Sequence, residues 1–410
     1  MNEHRADFNL EMKIITPVHI GVGDKYTKLD FVYDPEKNQA GLLHEQKWFK
    51  WLSERGKLEQ YTQEMQRQGM RLDNFRWLYQ QGIRDPLNQC RETMINVIDV
   101  DQDTSAMNDI ARQVKDVNQC PYIPGSSFKG SLRTAVMTAL IHDAYQAGGQ
   151  QAARLKTIWN DFSKLVLDPY NNDACRINEE SSKLIEQINE VFFQPVLNGR
   201  GREMELHLAD PFRGILVGDS RPFARESTLL VKKHDLVMPA VKNPVSEISL
   251  WRESIRPGCT TQFQVSLNLN HLRATGLERI KDAESLIKCV SIYRQVVLDN
   301  HERILIAKIK ESPLASQYKL QPLYQVQGYQ LMSLGGGIGL PTKSLIYSLA
   351  PDAEQASHVV ESMLNKQFGK HKGRDTVASP RTIKTTYLKV KSGVKTDGRH
   401  RLGIVAIRAV

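Results

Sequence analysis

Two glycine-bearing segments carry the residue types that can hold a phosphate. The first reads Tyr122-Ile-Pro-Gly-Ser-Ser-Phe-Lys-Gly-Ser-Leu-Arg-Thr-Ala135. Pro124-Gly125 predicts a turn, and Ser126 or Ser127 predicts the cap of the helix that follows. A helix N-terminus offers free N–H donors and the positive end of the macrodipole, and both attract an anion. Lys129 and Arg133 stand four apart, hence on one helical face beside that end, and Gly130 leaves room for a backbone or sugar to approach. The spacing of Gly125 and Gly130 imitates a P-loop, but the lysine precedes the second glycine, which argues against ATP. A capped core helix with two surface cations would use the same residues.

The second segment is Leu334-Gly-Gly-Gly-Ile-Gly-Leu-Pro-Thr-Lys-Ser344. Gly335, Gly336, Gly337 and Gly339 permit positive φ and expose backbone amides, an anion-binding nest. Lys343 is predicted at the start of a helix running through Leu349. Position 340 is not glycine, so the dinucleotide fingerprint fails, and Thr342 stands where a P-loop needs glycine. A hinge would also use glycines, but four beside a basic helix start point to phosphate contact.

His19 lies between a strand end and the glycine-bearing stretch Gly21-Val22-Gly23, where it could serve as a general base, an RNA contact or a structural histidine. Other motifs fall away. Asp99-Val-Asp101-Gln-Asp103 begins like a calcium loop, but Thr104 and Ile110 replace the required glycine and glutamate. The eleven histidines include no metal-binding pair, and no nucleophile elbow is present. No catalytic residue, metal or cofactor is expected.

These segments need elements to position them. Phe8, Leu10, Met12 and Ile14 alternate with polar residues as in a half-buried strand, broken at Thr16-Pro17, with a turn over 18–24. Residues 29–33 and 41–43 read as a hairpin, 45–80 as helical, 92–99 as a strand and Tyr122-Ile123 as a short one. Phe128, Leu132, Ala135, Val136, Ala139 and Leu140 recur at helical spacing. A mostly helical stretch over 150–195 is followed by strands at 213–217, 228–231 and 261–269, then a helix over 277–310. Without regular strand–helix alternation, the order indicates an α+β fold. Asn198-Gly-Arg-Gly-Arg202 marks a boundary between residues 1–205 and 206–410.

Composition narrows the function classes. The 410 residues are 40% hydrophobic and 25% charged, a globular balance for a chain of more than one domain. No apolar run is long enough to span a membrane, the first residues lack a secretory signal, and five scattered cysteines suit a reducing cytoplasm. The net charge is +9. Residues 366–410 hold twelve Lys/Arg against two Asp/Glu, so the entire excess sits there, while the first 365 residues are nearly neutral. Such an end attracts polyanions, or forms a solvated basic face.

Ile15-Thr-Pro-Val-His-Ile-Gly-Val-Gly23, the Tyr122–Ala135 string and the glycine run before Thr342-Lys-Ser344 together resemble the RAMP proteins of CRISPR effector complexes. Phe212-Arg-Gly-Ile-Leu-Val-Gly-Asp-Ser220 and Ser379-Pro-Arg-Thr-Ile-Lys384 narrow the resemblance to the fifth-subunit family of type III-A (Csm) complexes. The helical stretches 45–90 and 150–195 carry no such signature. The resemblance implies ferredoxin-like (RRM-like) domains with helical insertions, one in 1–205 and one in 206–410. It implies RNA contacts from His19, Gly125, Ser126, Ser127, Lys129, Gly130, Arg133, Gly335, Gly336, Gly337, Gly339, Lys343, Arg381 and Lys384. Implied partners are crRNA, target RNA, the repeated backbone RAMP subunit, a small helical subunit and host nucleases. The implied role is capping the crRNA 3′ side without catalysis. No aromatic RNP-type string is present, so base stacking as in ordinary RRMs is not expected. The alternatives are a metal-independent endoribonuclease that processes crRNA, with His19 as base, and a protein scaffold without RNA contact.

Overall fold

The computed structural model describes residues 4–34, 37–83, 91–98, 107, 109–171, 173–193, 210–235, 250–310, 323, 325–367, 384–386, 390–391, 394–395 and 400–410. In chain order the strands are β1 (Arg5–Ile14), β2 (Gly21–Tyr26), β3 (Phe31–Asp34), β4 (Gln39–Leu43), β5 (Arg91–Ile98), β6 (Ile110–Gln113), β7 (Ile215–Val217), β8 (Thr228–Asp235), β9 (Leu250–Ile255), β10 (Thr260–Asn268), β11 (Gln330–Ser333), β12 (Lys384–Thr386), β13 (Val390–Lys391), β14 (Val394–Lys395), β15 (His400–Arg401) and β16 (Ile404–Ala409). The helices are α1 (Glu45–Glu54), α2 (Leu58–Gln68), α3 (Asn74–Gln80), α4 (Gly125–Ala147), α5 (Gly149–Leu167), α6 (Ala174–Phe192), α7 (Leu269–Ala274), α8 (Ala283–Tyr293), α9 (Asn300–Lys310), α10 (Ile346–Leu349) and α11 (Ala353–Gln367).

This is the expected α+β class. One sheet has the order β11-β16-β1-β10-β7, all antiparallel. Its central strand β1 buries Leu10, Met12 and Ile14, as period-2 alternation requires. Their polar neighbours face outward, where Glu11 pairs with Arg408 of β16. A second sheet runs β2-β6-β9-β8-β5-β4-β3, with β5–β8 and β6–β9 parallel and β12 joined at β8. Val18 bridges to Ile255 and joins the β1–β2 connection to β9. Both sheets draw strands from either side of position 205.

Helix α4 covers the first sheet through Phe128, Leu132, Ala135, Val136 and Ala139, with the Phe128 ring 4.4 Å from that of Phe263 on β10. Helices α1–α3 close a separate small core, in which Trp48 stacks on Trp51 and Tyr61 meets Trp48 and Trp77 edge-on.

The structure corrects several expectations. Gly21–Tyr26 is a strand where a turn was expected, because it pairs with β6. Tyr122-Ile123 is not a strand; the pairing there is a lone bridge from Lys115 to Pro121. The helix expected from Leu277 begins at Ala283, where Asp282 and Ser285 form a capping box. That helix widens to π geometry over Arg294–Asp299 before α9. Lys343 lies in a turn, and the short helix starts only at Ile346.

Candidate functional site

Residues from three distant segments line one open cleft of roughly 340 Å³. Ile20 and Gly21 come from the β1–β2 connection; Ser127, Gly130, Ser131 and Thr134 from the first turns of α4; Gly335, Gly336, Ile338, Thr342 and Lys343 from the glycine loop; Ser333 and Tyr293 complete the lining. In α4 the four residues recur at three- and four-residue spacing, which places them on one face. Gly130 is exposed, and a Cβ there would meet nothing within 4 Å.

The helix start differs from its sequence expectation. Pro124 is the N-cap, and neither serine caps the helix. The first amide, Gly125 N–H, donates to Asp219 Oδ1 at 2.7 Å, so this donor already has an anion, supplied by the chain. Gly125 is required because a Cβ would lie 2.2 Å from the Val217 carbonyl oxygen. Ser126 is exposed and outside the cleft lining. The two cations turn away as well. Arg133 Nη1 donates to Asp210 Oδ2 at 2.7 Å, with its guanidinium over the Phe212 ring. Lys129 is half-buried beside the same carboxylate; burial lowers its pKa, Asp210 opposes that, and Arg133 and Arg213 add to it.

Around the glycine loop, Gly335, Gly337 and Gly339 hold φ near +90°, +80° and +92°. A Cβ on Gly335 would lie 2.5 Å from the His19 carbonyl oxygen, and one on Gly336 2.8 Å from Arg252 Nη1. Gly336 N–H donates to that same His19 carbonyl at 2.7 Å. The close approach of these two segments therefore depends on the missing side chains. Lys343 is exposed and lines the cleft, yet burial of its ammonium, then the Arg252 charge, lower its pKa.

His19 is buried at 5% exposure beneath this contact. Its Nδ1 lies 2.6 Å from the Glu253 carbonyl oxygen, which can only accept, so Nδ1 carries the proton. Burial pulls its pKa down to about 4, Arg252 adds to the shift, and the Glu253 hydrogen bond opposes it. The ring is neutral at physiological pH. A buried polar set fixes this connection: Ile20 N–H donates to Gln113 Oε1, Gln113 N–H to Glu253 Oε2, and Lys115 Nζ lies 2.6 Å from Glu253 Oε1.

The structure thus brings together His19, Ser127, Gly130, Gly335, Gly336 and Lys343, and leaves Lys129 and Arg133 on another face. Lys384 lies in β12, paired opposite Asp235, while Arg381 falls outside the described residues. Sequence reasoning missed Arg252, Tyr293, Ser131 and Thr134. For the last two a signal existed: Ser127, Gly130, Ser131 and Thr134 form a helical stripe of small residues. Arg252 and Tyr293 carry none, because they arrive from β9 and α8 by tertiary packing. Among the described residues, no group of three or more His, Cys, Asp or Glu is placed to hold a metal ion.

Comparison with known proteins bears on the family and the fold. A family model described as the RAMP superfamily matches residues 11–316. The chain is 25% identical over 350 residues to the CRISPR system Cms protein Csm5 of Streptococcus thermophilus, covering 84% of this chain and 81% of the relative. It is 22% identical over 383 residues to Csm5 of Enterococcus italicus, covering 88% and 86%. Its fold is similar to a chain in a cryo-EM structure of a Csm–crRNA–target RNA ternary complex of a type III-A CRISPR-Cas system, with TM-score 0.62 and 20% identity over 98% of this chain and 100% of that one. It is likewise similar to the crystal structure of T. onnurineus Csm5, with TM-score 0.57 and 17% identity over 96% and 99%.

Proposed function

The chain belongs to the RAMP superfamily, and from that membership we propose that it is a non-catalytic, crRNA-binding subunit of a type III-A (Csm) interference complex that caps the crRNA on its 3′ side. The observation that carries this reading is the convergence of three separate motifs on one cleft. Its lining suits a sugar–phosphate backbone: helix-borne hydroxyls, a tight glycine loop and one lysine, with Arg252 behind the glycines. Groups of this kind fix the position of a strand without reading its sequence. The similar Csm5 proteins and the crRNA-bearing complex support a place beside the backbone RAMP subunit and the small helical subunit, in contact with crRNA and target RNA.

The non-catalytic reading gains support from His19. Its ring is buried, tethered to a backbone carbonyl and weakly basic, which suits a structural post better than a general base. In this reading maturation of the crRNA 3′ end is left to host nucleases, in the cytoplasm. Among the described residues no helix is long and apolar enough to cross a membrane.

The test is reconstitution of the complex with and without this chain. Omission should give crRNAs with longer or heterogeneous 3′ ends, and purified protein should leave repeat RNA uncut. Uniform crRNA ends without the chain would refute capping, and cleavage of repeat RNA that disappears in His19→Ala would favour the endoribonuclease alternative.

A further inference from the structure

The glycine loop leaves the core at Ser333, the last residue of β11, and returns at Thr342. Both ends meet one hydroxyl. Tyr293 Oη lies 2.6 Å from Ser333 Oγ and donates to the Thr342 carbonyl at 2.8 Å. The residue is 2% exposed, and its ring is part of the main core. Burial raises the phenol pKa far above its ordinary value, so the group stays a proton donor at any physiological pH. Thr342 Oγ1 in turn reaches back to the Ile338 and Gly339 carbonyls within the loop.

The supporting helix is unusual at this point. Tyr293 is the last residue of α8, and π geometry begins at Arg294, with an Arg294–Asp299 ion pair spanning the widened turns. Such insertions are concentrated at functional sites. Without this tie, three positive-φ glycines would leave a loop with many accessible shapes, each costing entropy to fix when a ligand binds.

We infer that Tyr293 is a positioning residue of the cleft: its hydroxyl ties the two ends of the glycine loop and presets the loop backbone and Lys343 for an RNA phosphate backbone. The inference rests on the reading of the cleft as an RNA site and adds to it a specific device outside the recognised motifs.

Tyr293→Phe removes one oxygen and keeps the ring in the core. With the full-length protein, amide hydrogen exchange of residues 335–339 should accelerate. Affinity for a single-stranded RNA oligonucleotide should fall about fivefold, because binding must then restore loop order worth about one hydrogen bond of ordinary strength. Ser333→Ala, which leaves the tyrosine in place, should move both readouts in the same direction. Because Tyr293 acts through the loop that carries Lys343, Tyr293→Phe and Lys343→Ala should be non-additive in RNA affinity, whereas a purely structural tyrosine would give additive losses. Additive losses, or unchanged exchange in both hydroxyl variants, would overturn the inference. If Lys343→Ala weakens binding and Tyr293→Phe does not, the positioning role alone falls. If exchange accelerates while neither variant changes affinity, the RNA reading of the cleft falls, and the positioning role with it.

Discussion

Helix α4 has two polar faces that the sequence presents as one site. One face carries Ser127, Gly130, Ser131 and Thr134 and opens onto the cleft; the other carries Lys129 and Arg133 and closes on Asp210 and Phe212. The face with the charges is the one already satisfied within the fold, and the face without them is the open one. A cation in a motif is available to a ligand only when no internal carboxylate has claimed it. The glycine loop obeys the same rule from the other side, because its lysine faces the cleft.

The contrast can be broken by experiment. The largest effect is expected from Gly336→Ala combined with Gly337→Ala, since new Cβ atoms would press on Arg252 and His19, one of them at positive φ. RNA affinity in a filter-binding titration should fall by more than tenfold, and a near-normal value would show that the loop is not at the interface.

Charge reversal compares the two faces directly. Lys343→Glu should weaken RNA binding by about tenfold or more, the size of one charge-assisted contact. Lys129→Glu should cost clearly less, because Lys129 sits beside Asp210 and outside the cleft lining, while circular dichroism stays unchanged. The reverse ranking would return the site to the cationic face.

The third effect is on stability. The His19 proton binds near pH 4 in the folded protein against 6.5 for the unperturbed group, so between these values the unfolded chain holds more protons. Stability from this group is complete above about pH 6.5 and is lost as pH falls towards 4, by about 3 kcal/mol over the window. His301, also buried, drifts the same way, so the informative quantity is the difference between wild type and His19→Gln. The variant should show a flatter urea midpoint across that range, and parallel curves would remove His19 as a post under the loop.

The smallest change concerns the basic end. Neutralising Arg381 and Lys384 should weaken guide and unrelated RNA alike. The slope of log K against log salt should fall by roughly 0.7 for each phosphate of a single strand that the protein no longer neutralises. An unchanged slope would assign these cations to a protein neighbour instead.

Much of the fold was legible in the sequence because its signals are local. Alternation in β1, the 31–43 hairpin and the apolar stripe of α4 follow from periods of 2 and 3.6, and burial of one face enforces them. The glycine run was legible for a similar reason, as residues able to take positive φ, which Gly335, Gly337 and Gly339 do. Three things waited for the tertiary structure. Which face of α4 is open depends on Asp210, seventy-seven residues beyond Arg133 in the chain. That Asp219 takes the first helix amide depends on the irregular stretch after β7. That His19, the α4 stripe and the glycine loop share one cleft depends on β1 pairing with β10 and β16, pairings across hundreds of residues that no local period encodes. Local residue order set most of the elements and supplied the residue types able to meet a phosphate; long-range pairing left only some of them free to do so, because a charge or donor serves a ligand only after the fold has finished using it.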